Sequence, residues 1–219
     1  MMCVLMLDVE GGKESLWDDI VRLCSEKEGE VEPLYATRCV THGDISLIMD
    51  VKDPDQISDF VSDTLAPLGG LRDLWMFNMI NPRFFPIPLM TTSQELKPFT
   101  ITIDGETEHY RAMFEAISNI QPTNDVIVTY LAYTFQSFED DLVLSLLGKD
   151  IYTVDEFVIN KIRQIPGIFD SKTYAISKTK ILTSFKNWRN YINKYSYTRK
   201  EIVSEDSKEN DLSAYAIAF

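Results

Sequence analysis

The fold is decided by residues 31–80, which read VEPLYATRCVTHGDISLIMDVKDPDQISDFVSDTLAPLGGLRDLWMFNMI. Alternation of apolar and polar residues predicts two strands, Val31–Val40 and Ile45–Val51. Between them, residues 42–44 (His-Gly-Asp) have the composition of a tight turn. The first half of this stretch therefore predicts a β-hairpin.

A helix and a further strand follow the hairpin. Asp53 precedes a proline, which is typical of a helix start, and a pair of glycines ending at Gly70 marks the helix end. The apolar run Leu71–Ile80 predicts the next strand. Upstream, Cys3–Leu7 predicts a strand and Lys13–Glu28 a helix, because its apolar residues recur at helical spacing. The order is strand, helix, strand, strand, helix, strand, which is a ferredoxin-like unit.

The same pattern returns 97 residues later, from Phe99 to Ser177. Identical residues at this offset include Leu34/Leu131, Asp44/Asp141, Leu47/Leu144, Asp53/Asp150, Phe60/Phe157 and Gly70/Gly167. Thr153 and Glu156 have the spacing of a capping box at the second helix of this copy. The sequence therefore predicts an α+β fold of tandem ferredoxin-like (βαββαβ) repeats, with packing of the dimeric α/β-barrel type.

Four segments are predicted along the chain. Residues 1–80 form the first ferredoxin-like domain, and 81–97 form a linker that contains several prolines. Residues 98–179 form the second such domain. Residues 180–219 comprise a basic helix, expected over Lys180–Tyr195, and a polar, flexible tail. The exposed sheet face of one such domain would pack against another sheet, which either the tandem copy or a second chain can supply, and on these grounds we expect a homodimer.

Composition excludes several classes of protein. The 219 residues include 21 Lys or Arg against 34 Asp or Glu, for a net charge of −13. Such a chain is a poor binder of nucleic acid or anionic lipid. The sequence lacks a membrane-length apolar run or a leader-like start. Its three cysteines have no metal-binding spacing. We therefore expect a cytoplasmic protein with reduced thiols.

The repeated scheme resembles the effector-sensing domain of Lrp/AsnC transcription regulators, an ACT-like domain. The residues that carry the resemblance in the first copy are Gly43, Asp44, Leu47, Asp53, Phe60, Val61, Leu65, Leu68, Gly70 and Leu71. In the second copy they are Asp141, Phe157, Val158, Ile165, Gly167 and Ile168. Because the first strand is predicted within the first few residues, we expect no helix-turn-helix of that family in this sequence. The resemblance implies a small-metabolite sensor, such as an amino-acid sensor in transcription regulation, that is not an enzyme.

The candidate ligand-binding residues are Gly43, Asp44 and Asp141. In similar domains this turn lies near the effector pocket, and a carboxylate there can accept hydrogen bonds from a ligand amine. The competing interpretation is a structural turn, in which Asp bonds neighbouring backbone and Gly adopts a positive φ.

One basic stretch interrupts the acidic chain near its C-terminal end. Lys186, Arg189 and Lys194 are the candidate contacts with a partner protein or nucleic acid, although direct nucleic-acid binding is not expected. The competing interpretation is a solvated helix end whose cations complement the helix dipole.

Two alternatives to the sensor remain open. One is an enzyme or haem-binding protein on a doubled ferredoxin-like fold, which for haem needs an axial histidine. The two histidines, His42 and His109, stand in no recognised motif. The other alternative is an interaction accessory of a transcription regulator. We predict no catalytic residues, no resident metal and no cofactor.

Overall fold

The computed structural model describes residues 1–10, 14–25, 29–40, 44–87, 95–135 and 141–199. These residues form a mixed α+β structure with eight strands and five α-helices. The strands are Met2–Val9 (β1), Val31–Cys39 (β2), Ile45–Val51 (β3), Leu71–Phe84 (β4), Lys97–Gly105 (β5), Val126–Phe135 (β6), Leu142–Gly148 (β7) and Ile168–Ile181 (β8). The helices are Glu14–Cys24 (α1), Gln56–Phe60 (α2), Tyr110–Ser118 (α3), Ile151–Phe157 (α4) and Phe185–Lys194 (α5).

The chain divides into two compact units. The first comprises Met1–Ile80 and Tyr174–Asn190, and the second comprises Asn81–Thr173 and the described residues from Tyr191 onward. The strand order is β4-β1-β3-β2-β8 in the first unit and β8-β5-β7-β6-β4 in the second. The described strand pairs are all antiparallel. They are β1 with β3 and β4, β2 with β3 and β8, and β7 with β5 and β6. Each unit therefore has the strand order of a ferredoxin-like unit.

In the first unit, one face of the sheet is covered by helices. Leu5, Leu7 and their neighbours on β3 pack with Ile20 of α1 and Phe60 of α2 in a single apolar cluster. Burial alternates along β3, as expected for a strand with one covered face.

In the second unit, buried residues of β5 alternate in the same way. At the end of β7, a Cβ on Gly148 would lie 2.2 Å from Val154 on α4. Glycine at position 148 therefore allows α4 and β7 to approach closely, because a side chain there would overlap Val154.

Two predicted boundaries need correction. The helix expected from Lys180 begins at Phe185, because Lys180 and Ile181 belong to β8, where they pair with Ala36 and Tyr35 of β2. The predicted linker is shortened in turn, since β4 continues to Phe84. Strand pairing across the sheet, which periodicity does not report, decides both ends.

The described residues contain no helix that is both long enough and apolar enough to span a membrane.

Candidate functional site: an open sheet face in the first unit

The sheet of the first unit has a second face, opposite α1 and α2. Because successive side chains of a strand point to opposite faces, Val4 and Met6 lie on this side when Leu5 and Leu7 face the helices. Their cross-strand partners continue the face onto β4, where Val4 pairs with Phe77 and Met6 with Trp75. The result is an apolar surface rich in aromatic side chains.

The solvent exposure of the side chains increases across this surface from Val4 to Trp75. Val4 is buried, and Met6 and Phe77 are half-buried. Trp75 is 45% exposed, whereas the other two tryptophans, Trp17 and Trp188, are 6% and 1% exposed. We call the patch formed by Met6, Ile48, Trp75 and Phe77 the open face; Ile48 belongs to it because it pairs with Val4. Trp75 offers a large aromatic ring to solvent on a rigid strand.

Helix α5 covers the neighbouring end of the same side. Tyr35 of β2 pairs with Ile48, so both side chains share a face. The ring of Trp188 stacks on Tyr35 at 5.5 Å with an interplanar angle of 15°. Burial raises the pKa of the Tyr35 hydroxyl above its usual range. Helix α5 therefore covers the Tyr35 end of this surface. Trp75 is more exposed than Phe77 and Tyr35, the other aromatic residues of the surface.

Charged groups border the open face at the end of β1. Asp8 follows Met6 on the same side of the strand, and it forms an ion pair with Arg72. The Arg72 guanidinium donates to Asp8 through both Nε and Nη2. This bond and the charge of Asp8 raise the pKa of Arg72 above its usual range. A fixed cation therefore stands beside the apolar surface.

The structure places Asp44 and Asp141 at equivalent points of the two units. The Asp44 carboxylate lies 3.5 Å from the Val9 amide, which donates to it at the end of β1. The Asp141 carboxylate accepts the Gly105 amide at 2.9 Å at the end of β5. Each aspartate therefore links a hairpin to the end of an adjacent strand by a hydrogen bond. Ligand binding by Asp44 or Asp141 remains a prediction. Gly43 lies outside the described residues.

The basic stretch is divided among several elements. Lys186, Arg189 and Lys194 are exposed on α5, as required for a contact surface. Lys178 instead lies on β8 and forms an ion pair with Glu14. Arg199 is buried and donates to the Val128 carbonyl at 2.8 Å. The contact role of the three exposed cations stays a prediction.

Sequence reasoning missed the open face, although its signal was visible. The sequence predicts a strand over Leu71–Ile80 and a sheet face that packs against another sheet. The structure shows that Leu74 and Met76 contribute to the helix-side core, while Trp75 between them is exposed. Trp75 is therefore an exposed aromatic residue beside half-buried apolar neighbours, which makes this patch a candidate binding surface.

Comparisons with known proteins identify the fold. No protein-family model matches the chain, and none of the curated proteins matches it. Among solved structures, the siroheme decarboxylase NirDL has a TM-score of 0.59 at 7% identity, over 89% of this chain and 78% of its own. A proposed monooxygenase from Lactobacillus acidophilus NCFM has a TM-score of 0.52 at 6% identity, over 83% and 96%. An anthrone oxidase-like protein has a TM-score of 0.50 at 9% identity, over 84% and 94%.

These comparisons correct several predictions. The Lrp/AsnC resemblance is wrong as a family assignment, because the structures that share the fold are a decarboxylase, a monooxygenase and an oxidase-like protein. The predictions of an amino-acid sensor, an ACT-like domain and a role in transcription regulation are therefore wrong as well. The prediction that the chain is not an enzyme is contradicted as well, since those proteins are named as enzymes.

Proposed function

We propose that the protein is an enzyme that binds a flat, conjugated ring molecule on the open face of its first unit. The exposed Trp75 ring carries this proposal, because it extends the apolar patch of Met6, Ile48 and Phe77 into solvent, and contiguous exposed apolar patches mark binding surfaces. Two proteins of the same fold are named for anthrone and siroheme, both flat conjugated ring systems. The proposal extends that class of substrate to this chain.

The open face would hold such a molecule by stacking and positioning. Trp75 and Phe77, two residues apart on β4, offer aromatic contacts with a planar ring. The Met6 thioether pairs across the strand with Trp75 and makes a soft contact with an aromatic system. Arg72 at the border would bind a carboxylate or oxyanion substituent of the ring, since its guanidinium is held in place by Asp8.

Neither His109 nor the thiols of Cys3 and Cys39 suit axial ligation of a resident haem. His109 contacts Glu106 and lies near Glu108. The negative charges of these glutamates would repel the propionate carboxylates of a haem. Burial raises the pKa of the Cys3 and Cys39 thiols to about 11, so both stay protonated and are poor ligands at neutral pH. His42 lies outside the described residues. In this proposal a tetrapyrrole is therefore a substrate and not a resident cofactor.

Tryptophan fluorescence tests the proposal directly. Anthrone and metal-free protoporphyrin are titrated separately into the full chain while emission is recorded. A porphyrin also quenches the buried Trp17 and Trp188 by energy transfer, so quenching reports binding, and the variants locate the site. We expect saturable quenching by at least one of the two. Trp75→Leu should weaken binding of that probe about fivefold, as measured by equilibrium dialysis, because a stacking contact is worth roughly 1 kcal/mol.

A matched control variant is Phe169→Leu, which removes an aromatic side chain of β8 that is 69% exposed. It should leave binding unchanged. Equal affinity of the wild-type protein and Trp75→Leu would refute the proposed site. Equal loss in both variants would indicate nonspecific adhesion of the probe and would refute it too. Activity is then sought as oxygen uptake with anthrone or as carbon dioxide release from siroheme.

Two finer points of architecture and assembly also belong to this proposal. We infer that the two halves are tandem repeats packed in the manner of dimeric α/β barrels, supported by their shared strand order. We further infer a homo-oligomer, because Tyr152, Ile159 and Phe169 are exposed apolar residues of the second unit. Light scattering after gel filtration tests the assembly, and a monomer of 25.2 kDa at micromolar concentration would refute it.

A further inference from the structure

The charged border of the open face is built at an irregularity in the sheet. Asp8 of β1 pairs with Asp73 of β4. The next residue of β1, Val9, pairs with Leu71, so the register skips Arg72. A β-bulge of this kind breaks the alternation of side chains and often redirects one of them beside a functional site. Here it brings Arg72 and Asp73, which are adjacent in sequence, to the same residue of β1.

Arg72 is held on one side and open on the other. Its Nε and Nη2 donate to the same carboxylate oxygen of Asp8, at 3.1 and 2.5 Å. The Asp8 side chain is 20% exposed, whereas that of Arg72 is 59% exposed. Within the described residues, nothing accepts a hydrogen bond from Nη1. The two N–H groups of Nη1 can therefore bind an oxygen atom at the edge of the open face.

Asp73 supplies a carboxylate that forms no ion pair with any described residue. Its side chain is exposed, and its Oδ1 accepts the Leu74 amide at 2.8 Å, which restricts where the carboxylate can move. The Cβ atoms of directly paired residues lie about 5 Å apart, so this carboxylate is close to Asp8 and to the guanidinium that Asp8 holds. A negatively charged proton acceptor and a fixed donor therefore stand side by side.

Both groups border the aromatic residue that carries the proposed function. Asp73 and Trp75 are two residues apart on β4, and their partners Asp8 and Met6 are two residues apart on β1. Asp73 and Trp75 therefore lie on one face of the sheet, about 7 Å apart along the strand. A fused ring system spans this distance, so a molecule stacked on Trp75 reaches the charged border with atoms of its edge.

The second unit shows that the fold does not require this set of residues. At the offset of 97 residues, Arg72 is replaced by Phe169 and Trp75 by Lys172. The aspartate is kept as Asp170, but it forms an ion pair with an arginine. An exposed tryptophan, an arginine and a carboxylate outside any ion pair therefore occur together in the first of the two described units and not in the second. This difference favours a functional role over a structural one.

We infer that Asp73 is a general base for a flat ring with an enolisable carbonyl group, and that Arg72 binds the oxyanion that forms. The inference rests on the proposed ring-binding function and names its substrate class. The Asp73 carboxylate takes a proton from the ring carbon conjugated to the carbonyl. The electron pair of that C–H bond moves through the ring to the carbonyl oxygen, which accepts hydrogen bonds from Nη1 of Arg72. Asp73 then releases the proton to water. Asp8 is a positioning residue, because it contacts Arg72 and not the substrate.

Deuterium exchange into anthrone tests this step without any oxidant. The full chain is incubated with anthrone in D₂O under nitrogen, and exchange at the methylene carbon is followed by NMR. We expect the wild-type chain to accelerate exchange. Asp73→Asn should slow catalysed exchange at saturating anthrone about 100-fold. Arg72→Gln should slow it at least about tenfold, because a donor to the oxyanion is lost. Equilibrium dialysis should show near wild-type binding of anthrone to Asp73→Asn, whose amide oxygen can still accept the Leu74 amide.

Asp63→Asn is the matched control, because Asp63 is an exposed aspartate of the first unit on the helical segment 61–65. It should exchange at the wild-type rate. Wild-type exchange by Asp73→Asn would overturn the inference, as would a wild-type chain that binds anthrone without accelerating exchange. In both cases ring binding, and with it the proposed function, would stand. Binding of protoporphyrin without binding of anthrone would likewise overturn only this inference, whereas binding of neither probe would refute the proposed function itself.

Discussion

At the scale of single residues, two glycines in the left-handed region have contrasting surroundings. Gly69 has a φ of +65° and nothing within 4 Å of an added Cβ, whereas Gly167 has a φ of +93° and would place a Cβ 2.6 Å from the His109 Cβ. An alanine at either site meets backbone strain of about 1–2 kcal/mol. Only Gly167→Ala adds a steric overlap, which costs roughly 1–3 kcal/mol more.

We therefore expect Gly167→Ala to lower the free energy of unfolding clearly more than Gly69→Ala does. Urea unfolding of the two variants and the wild-type chain measures the difference. Equal losses would show that the contact between Gly167 and His109 is looser than the structure indicates.

The start of α4 gives a prediction on pH. Asp150 caps this helix, and its carboxylate accepts the amide and the hydroxyl of Thr153 at 2.8 and 2.9 Å. These bonds lower the pKa of Asp150 below its ordinary value of 3.8. The stabilisation is therefore present above that value and is lost as the pH falls through the lower, folded-state pKa. The predicted capping box, in which Thr153 is the N-cap, is wrong, because α4 begins at Ile151 and its N-cap is Asp150.

Asp150→Asn isolates this effect, because an amide oxygen can still cap the helix but does not titrate. We expect the stability of the wild-type chain to fall more steeply than that of Asp150→Asn as the pH drops below about 3.8. Urea midpoints over this acidic range measure the two slopes. Parallel curves would show that Asp150 titrates at its ordinary value.

At the scale of elements, α5 shows what periodicity can and cannot predict. The sequence predicts a helix over Lys180–Tyr195 with Ile181, Phe185, Trp188 and Ile192 on one apolar face. Trp188 and Ile192 are each 1% exposed, but Phe185 is 55% exposed. The helix begins only at Phe185, because β8 continues to Ile181 by pairing with β2. A pairing partner more than a hundred residues away determines the phase, and local sequence does not contain it.

Two substitutions in α5 test this orientation. Trp188→Ala removes a buried ring stacked on Tyr35, and we expect it to cost about 3–5 kcal/mol. Phe185→Ala should change stability by less than about 0.5 kcal/mol, because its side chain is mostly in solvent. Chemical unfolding of both variants gives the comparison. A large loss for Phe185→Ala would place that side chain in the core, as the sequence first predicted.

At the scale of the whole molecule, the order of strands and helices was predictable from short stretches of sequence. Alternating apolar residues indicate the strands, and capping and turn residues indicate where the helices begin and end. The hairpin strand Ile45–Val51 is found at the predicted bounds. The function was not predictable in this way, because ferredoxin-like units serve many unrelated activities. Asp44, Asp141 and Trp75 are all visible in the sequence, but only the folded sheet shows that both aspartates bond to backbone and that Trp75 is exposed.

Thermal stability of the whole chain distinguishes a ring-binding enzyme from the amino-acid sensor that the sequence first suggested. A ligand at about 100 times its Kd stabilises the folded state by roughly 2.7 kcal/mol. For a chain of this size that raises the Tm by about 5–10 °C. We expect protoporphyrin or anthrone to produce such a shift in the wild-type chain and in Phe169→Leu, but a much smaller one in Trp75→Leu. Amino acids should produce none. A shift with an amino acid that persists in Trp75→Leu would contradict the proposed function, because stabilisation would then come from a site other than the open face.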